Sequence, residues 1–291
     1  MRTALRRAGF YPEPSKNPLI SNEFLHETLL TGARMKPNQT PGNNSHLDDP
    51  SRVAEIREKI RKKEFLRALY LETYSKYSAC LKRCPASGQI LELGSGGGFS
   101  KEVIPQLITS DIIPYEGVDR IVDATQIPFP DRSLRAIFLF NVFHHIPDVR
   151  AFFREAMRCL VPGGRILIID PYFGWISSPI YNYLHHEPSS KSVEKWEFES
   201  SGPLSDANIA LAWIVFQRDR AIFESEFAKL NLVSYKPHSP LRYWISGGLK
   251  NWSLASGSQF ETWSKIDNAL ISLSEKFASF VDIELVKQTD Q

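Results

Sequence analysis

With 291 residues, 42% of them hydrophobic and 12% aromatic, the chain can bury a sizeable core, which excludes wholesale disorder and leaves one large α/β domain with additions, or two small domains. Its 35 basic and 33 acidic residues leave a formal charge of +2, so no global field draws it to nucleic acid. No run approaches the roughly 18 apolar residues of a membrane span, and no apolar stretch follows Arg2, Arg6 and Arg7, so neither a spanning helix nor a secretory signal is expected.

Residues 1–48, broken by Pro12, Pro14, Pro18, Pro37 and Pro41, read as an extended, partly ordered arm. Asp49 followed by Pro50 marks a helix start, and Val53, Ile56 and Ile60 recur at helical spacing. The stretch 57–67 is locally basic. A solvated face is the plain reading, and attraction to an anionic lipid surface or a phosphorylated substrate is the alternative. Cys80 and Cys84 stand at i, i+4, as buried free thiols on a helix would. With Cys159 they form neither a disulfide framework nor a zinc pattern, which fits a reducing cytoplasm.

An apolar run then reaches Glu92 and breaks into glycines, Glu92-Leu93-Gly94-Ser95-Gly96-Gly97-Gly98-Phe99. Bare backbone at such a turn lets a ligand lie close, and the helix that follows offers unpaired N–H groups and a positive dipole end. A dinucleotide fingerprint needs Gly or Ala where Phe99 stands, which speaks against a nicotinamide-linked oxidoreductase. What fits is E-x-G-x-G-x-G, from Glu92 through Gly94, Gly96 and Gly98, which resembles motif I of the class I S-adenosylmethionine-dependent methyltransferases. In that family the loop packs against the methionine part of the cofactor.

Asp111 follows Gly94 by 17 residues, close to the offset of about 20 at which a nucleotide-binding fold places the acid for the ribose hydroxyls. A carboxylate suits a cis-diol because it accepts two hydrogen bonds. Asp119 is the nearest rival. The run Asp123-Ala124-Thr125-Gln126-Ile127-Pro128-Phe129-Pro130-Asp131 resembles the family's D-A-x-x-L-P-F-x-D signature, which implies Asp123 at the adenine amine and Ala124 at the ring. Residues 134–141 read as a buried strand, and ligands in open α/β sheets bind at the carboxyl ends of strands. Asn141 and Val142 are therefore expected to face the methyl donor, with His144 or His145 as a base near the acceptor; the competing view is that the His pair only shapes the loop. An amphipathic helix over 152–160 and the turn Leu160-Val161-Pro162-Gly163-Gly164 lead into a fifth strand at 165–170, and this turn resembles the methyltransferase type 11 branch.

From 89 to 171 the resemblance is nearly unbroken. It implies a Rossmann-like, doubly wound α/β sheet, mostly parallel with an antiparallel last strand, plus an N-terminal helical arm and a C-terminal cap and helix. It also implies S-adenosylmethionine as cofactor, S-adenosylhomocysteine as product, and cofactor contacts from Glu92, Leu93, Gly94, Ser95, Gly96, Gly98, Asp111, Ile112, Asp123, Ala124, Asn141 and Val142. Residues 49–170 would form the cofactor-binding half, and 171–212 an aromatic-rich cap over the acceptor. Within the cap, His185-His186-Glu187 reads as a base or an acceptor-binding trio and not as a metal site, since adjacent residues seldom converge on one ion without a partner elsewhere.

A final core helix is expected over 213–230, and closing antiparallel strands at 232–235 and 241–245, within a segment 213–250. Residues 251–291 read as a C-terminal helix whose apolar face packs on the core, on a second copy or on a membrane surface. The reading is a cytoplasmic methyltransferase acting on a small-molecule, saccharide or lipid-linked acceptor at oxygen. Its alternative is a non-catalytic S-adenosylmethionine-binding regulator or scaffold. Oligomeric state is left open. No Asn-Pro-Pro-Tyr motif follows the fourth strand, which speaks against amino-group methylation of nucleic-acid bases.

Overall fold

A computed structural model describes residues 49–289, apart from 186, 200–201 and 203–205. The arm expected over 1–48 lies outside the described residues. The strands are β1 (Gln89–Leu93), β2 (Leu107–Asp111), β3 (Arg120–Ile121), β4 (Leu134–Phe140), β5 (Leu160–Pro171), β6 (Leu230–His238) and β7 (Phe280–Lys287). Among the described residues these seven make one sheet in the order β3-β2-β1-β4-β5-β7-β6. All neighbours run parallel except β7, which is antiparallel to both β5 and β6. This is the mostly parallel, doubly wound sheet that the motifs implied.

The central strands are apolar throughout because both faces are covered. On β4, Ile137 and Leu139 point into one core and Ala136 and Phe138 into the other, and none of the four is exposed to solvent. The second core is closed by α1 (Ser51–Lys62) and α2 (Glu64–Leu81), with Tyr77 stacked on Phe138 at a centroid distance of 4.2 Å. Asp49 accepts the Ser51 amide at 2.9 Å where α1 begins. A short α3 (Ser100–Val103) follows the glycine turn, and α4 (Val149–Cys159) covers the first core with Phe152 and Phe153. Asp148 caps α4 by accepting the Ala151 amide at 2.8 Å. Chain order reverses between β1 and β4, so a crevice for a ligand belongs at their carboxyl ends. Among the described residues, no helix is long and apolar enough to cross a membrane.

The closing elements differ from the sequence expectation. Residues 241–245 are not a strand; Arg242–Ile245 is a helical turn. Asp267, on the helix α5 (Phe260–Leu273), accepts the Leu241 amide at 2.9 Å and the Arg242 guanidinium at 2.8 Å, so a residue from another element caps this turn. The expected helix over 213–230 is interrupted, with a wide π turn at Ile214–Arg218 and a helix at Arg220–Glu226. The tail does not end in a helix either. Its last described element is β7, the strand that completes the sheet.

β7 falls within the segment read as a helix, and its acidic residues have partners far along the chain. Asp282 meets Lys76 and His238 at 2.8 Å each, and Glu284 is held by Arg83 and Arg165. Burial alone would raise the Asp282 pKa, but His238 and Lys76 outweigh it and hold it at about 2, against an ordinary 3.8. Burial lowers the pKa of His238 itself. A depressed carboxylate gives stability that is complete above its unfolded pKa and lost as pH falls through the folded one. Asp282→Asn is therefore expected to cost about 2 kcal/mol near pH 5 and to flatten the loss of stability between about pH 4 and pH 2. Urea midpoints across that range check it.

Candidate functional site

The turn after β1 is built on two left-handed glycines, Gly94 at φ 64° and Gly96 at φ 49°. Each serves a different end. A Cβ on Gly94 would sit 2.4 Å from Val142 Cγ2, so the turn packs directly on the second residue past β4. A Cβ on Gly96 would meet nothing within 4 Å, so this side of the backbone stands open. The loop is pinned to β2 by the Ser95 amide on the Ser110 carbonyl at 2.8 Å. Glu92 is buried beneath it and accepts the Ser100 hydroxyl, and burial raises its pKa.

Asp111 ends β2 beside the open glycine. One carboxylate oxygen accepts the Gly96 amide at 3.0 Å, and the other accepts the Ile113 amide at 3.2 Å. Burial raises its pKa against the opposing pull of those amides. The rival, Asp119, is tied down elsewhere by the Thr109 amide and Lys101. Asp123 lies at the same strand edge, two residues past Ile121, which pairs with Asp111. It is exposed, and one oxygen closes its own turn by accepting the Thr125 amide and hydroxyl at 2.7 Å each. Ala124 is half-buried and Ile112 is 44% exposed. Asn141 adopts φ 56° at the end of β4, an unusual backbone for a non-glycine residue.

Two of the glycines serve packing. A Cβ on Gly97 would come within 2.5 Å of Ile56 on α1, and one on Gly98 within 2.6 Å of the Tyr74 hydroxyl on α2. That hydroxyl accepts the Phe99 amide at 3.0 Å. Gly98, expected at the cofactor, thus lets α2 approach the turn. A cavity of about 170 Å³ opens beside the turn, lined by Arg57, Arg61, Ser95, Gly96, Phe99 and Tyr115 among others.

At the carboxyl ends of β4 and β5 the two histidine segments meet. His144 is 3% exposed, with Nδ1 2.9 Å from Asp170 Oδ1 and Nε2 3.3 Å from Glu187 Oε2. Burial pulls its pKa down, but the two carboxylates outweigh burial and raise it to about 10. Burial would raise the Glu187 pKa, and His144, His145 and His185 hold it well below the usual carboxylate range. Burial raises that of Asp170. His145 and His185 approach the same Glu187 at 3.7 and 3.8 Å. His186 lies outside the described residues. Sequence reasoning grouped Glu187 with His185 and His186 and noted that a metal would need a partner elsewhere; the structure brings His144 and His145 to Glu187 as well. It also missed Asp170, whose signal was an acid ending an otherwise apolar strand.

The family model described as "Methyltransferase domain" matches residues 91–168, the span from the glycine turn through β5. This segment is a class I, S-adenosylmethionine-dependent methyltransferase domain. Among curated relatives, 27-O-demethylrifamycin SV methyltransferase of Amycolatopsis mediterranei is 39% identical over 56 residues, which is 18% of this chain and 21% of that protein. Demethylmenaquinone methyltransferase of Tropheryma whipplei is 22% identical over 156 residues, 44% of this chain and 65% of that one. The chain thus spans from about a fifth to just under two thirds of these relatives' length. Among solved structures, geranyl diphosphate C-methyltransferase from Streptomyces coelicolor, with Mg²⁺, geranyl diphosphate and S-adenosyl-L-homocysteine, covers 86% of this chain and 91% of its own at 17% identity and a TM-score of 0.45.

In this methyltransferase domain the open side of Gly96 gives a direct test. Gly96→Ala adds a methyl group at φ 49° where no protein atom is in the way. We expect about 1 kcal/mol of lost stability from the left-handed backbone, and a roughly tenfold weaker grip on the cofactor. Thermal melts and equilibrium binding with S-adenosylhomocysteine separate the two effects.

Proposed function

We propose that the protein transfers a methyl group from S-adenosylmethionine to an oxygen of a small, ring-bearing acceptor, leaving S-adenosylhomocysteine. The observation that carries this reading is the Asp111 carboxylate bound to the amide of Gly96, whose side-chain side is open. There Asp111 takes the ribose hydroxyls, and Asp123 lies on the adenine side. Gly94, Ser95 and Gly96 take the amino-acid tail, with Glu92 and Leu93 behind them. The acceptor's place is at the His144, His145, His185 and Glu187 cluster, approached past Asn141 and Val142. His144 has both ring nitrogens on carboxylates, so we give it a positioning role and not that of a free base. Rings at Tyr70 and Phe140, 5.2 Å apart, and Tyr243, whose pKa is raised by burial and then by the charge of Glu187, support an acceptor with an apolar ring. The names of two relatives, for demethylrifamycin SV and demethylmenaquinone, also point to the small-molecule class.

Methyl transfer is an in-line displacement, and alignment supplies much of the rate. An oxygen lone pair forms the new O–C bond, the C–S electron pair stays on sulfur as a neutral thioether, and the acceptor's proton leaves. The sulfonium charge disappears on the way, so acids that held it tightly would favour the ground state. Asp111 and Asp123 instead hold the sugar and the base. The three cysteines are free, which suits the reducing cytoplasm in which we place the protein.

The test is incubation of the purified chain with a donor carrying a labelled methyl group and fractionated small-molecule extracts. Label should appear in a small-molecule fraction. Donor bound tightly with no label transferred to any fraction would favour a regulatory or scaffold role and sink the enzymatic reading.

A further inference from the structure

Three ligand atoms of a kind that binds metal ions converge at the acceptor end of the sheet. One ring nitrogen of His144, one of His145 and a carboxylate oxygen of Glu187 all lie within 4.8 Å of one another. Each histidine is oriented through its other nitrogen. His144 Nδ1 faces Asp170 Oδ1 at 2.9 Å, and His145 Nδ1 faces the Asp206 carbonyl at 3.0 Å. Both partners are acceptors, so both Nδ1 atoms carry hydrogen and donate. That is how ligating imidazoles are usually held, by a carboxylate or a backbone carbonyl on the far nitrogen.

Both Nε2 atoms look toward the Glu187 carboxylate, and a neutral His145 ring points a lone pair at it. Lone pairs facing an anion repel unless a cation lies between them. A proton on His144 can fill one gap, at 3.3 Å. The other, 3.7 Å from His145 to Glu187, is too long for a hydrogen bond. Both separations suit a shared ion. Ligands about 2.0–2.1 Å from a tetrahedral centre stand roughly 3.4 Å apart. Asp170 is fully buried, and among the described residues one of its oxygens has no hydrogen-bond partner.

We propose that His144, His145 and Glu187 bind a divalent transition-metal ion, with Asp170 and the Asp206 carbonyl orienting the two imidazoles. Two imidazoles and one carboxylate suit Zn²⁺, Mn²⁺, Fe²⁺ or Co²⁺, whereas Mg²⁺ and Ca²⁺ prefer all-oxygen sites. Three protein ligands leave a coordination position for water or substrate. Resting on the function proposed above, that position takes the acceptor's hydroxyl oxygen, whose proton then leaves at a lower pH. The metal site itself does not depend on that reading.

The experiment uses the untagged full chain, stripped with a chelator and desalted. Zn²⁺ is titrated by calorimetry and Co²⁺ by visible absorption. One ion per chain should bind, with the absorption of Co²⁺ in a nitrogen–oxygen site. Glu187→Gln and His145→Asn should weaken binding at least about 100-fold, and Asp170→Asn, as a positioning change, by about 10- to 100-fold. Should the variants fail to fold, the wild type alone decides: its melting midpoint should rise with Zn²⁺ or Co²⁺ and not with Mg²⁺. Absence of stoichiometric binding, or binding that all three variants retain, overturns the site. S-adenosylhomocysteine binding is measured on the same samples. Metal loss with the cofactor still bound defeats only the metal site, and cofactor loss with the metal bound defeats only the functional reading.

Discussion

Asp111→Asn will leave the fold standing and weaken S-adenosylhomocysteine binding about 100-fold, close to 3 kcal/mol. The asparagine keeps one acceptor oxygen for the Gly96 amide, the Ile113 amide and a ribose hydroxyl, and its NH2 group accepts none of them. It also removes the charge that strengthens such bonds. Stability should fall less than affinity, since the acceptor that one backbone amide loses is offset in part. Burial raises the Asp111 pKa in the folded state, and a carboxylate with a raised folded pKa opposes folding as it ionises, so a neutral side chain carries no such penalty. The same shift fixes the pH dependence: wild-type affinity should decline on acidification at a higher pH than an ordinary aspartate would give. An Asp111→Asn protein that binds as tightly as wild type would remove the ribose assignment.

His144→Leu will cost about 3–5 kcal/mol of folding stability in the presence of a chelator. The change strands Asp170, fully buried, and Glu187, whose side chain is 15% exposed, without the ring that lies between them. Each carboxylate must then be desolvated with its principal partner gone, and that penalty exceeds the apolar gain from leucine. Adding Asp170→Asn and Glu187→Gln to the same chain should recover a large part of the loss, because the stranded charges go with them. Urea unfolding of the single and triple variants measures both quantities. A single-variant loss below about 1 kcal/mol would show that the three groups are not coupled as an ion network.

The cofactor half was legible in the sequence because its signals are local and backbone-driven. Gly94 and Gly96 need left-handed conformations, Asp111 follows at a set strand-and-turn distance, and the apolar runs of β1 and β4 can be buried only as central strands. What was hidden depends on partners far along the chain. β7 fell within the segment read as a C-terminal helix, and its acids Asp282 and Glu284 are neutralised only by the distant Lys76, His238, Arg83 and Arg165. The helical turn Arg242–Ile245 is fixed by Asp267, which follows it in the chain, so its own β-prone residues misled. The convergence of His144 and His145 with Glu187 was hidden for the same reason. Each motif alone is a pair of ring side chains on a loop, and only the return of the cap segment over β4 and β5 brings them to one point. At Gly97 and Gly98 the lack of a side chain also lets Ile56 and Tyr74 reach the backbone, a packing role that the motif spacing does not reveal.

The most direct measurement is a calorimetric titration of the wild-type chain with S-adenosylhomocysteine, followed by the same titration of Asp111→Asn. The structure predicts one site with a dissociation constant in the range of about 1 µM to 1 mM common for enzyme substrates, and a large loss of affinity in the variant. A folded chain that gives no heat and no rise in melting midpoint with this ligand would contradict the account at its base.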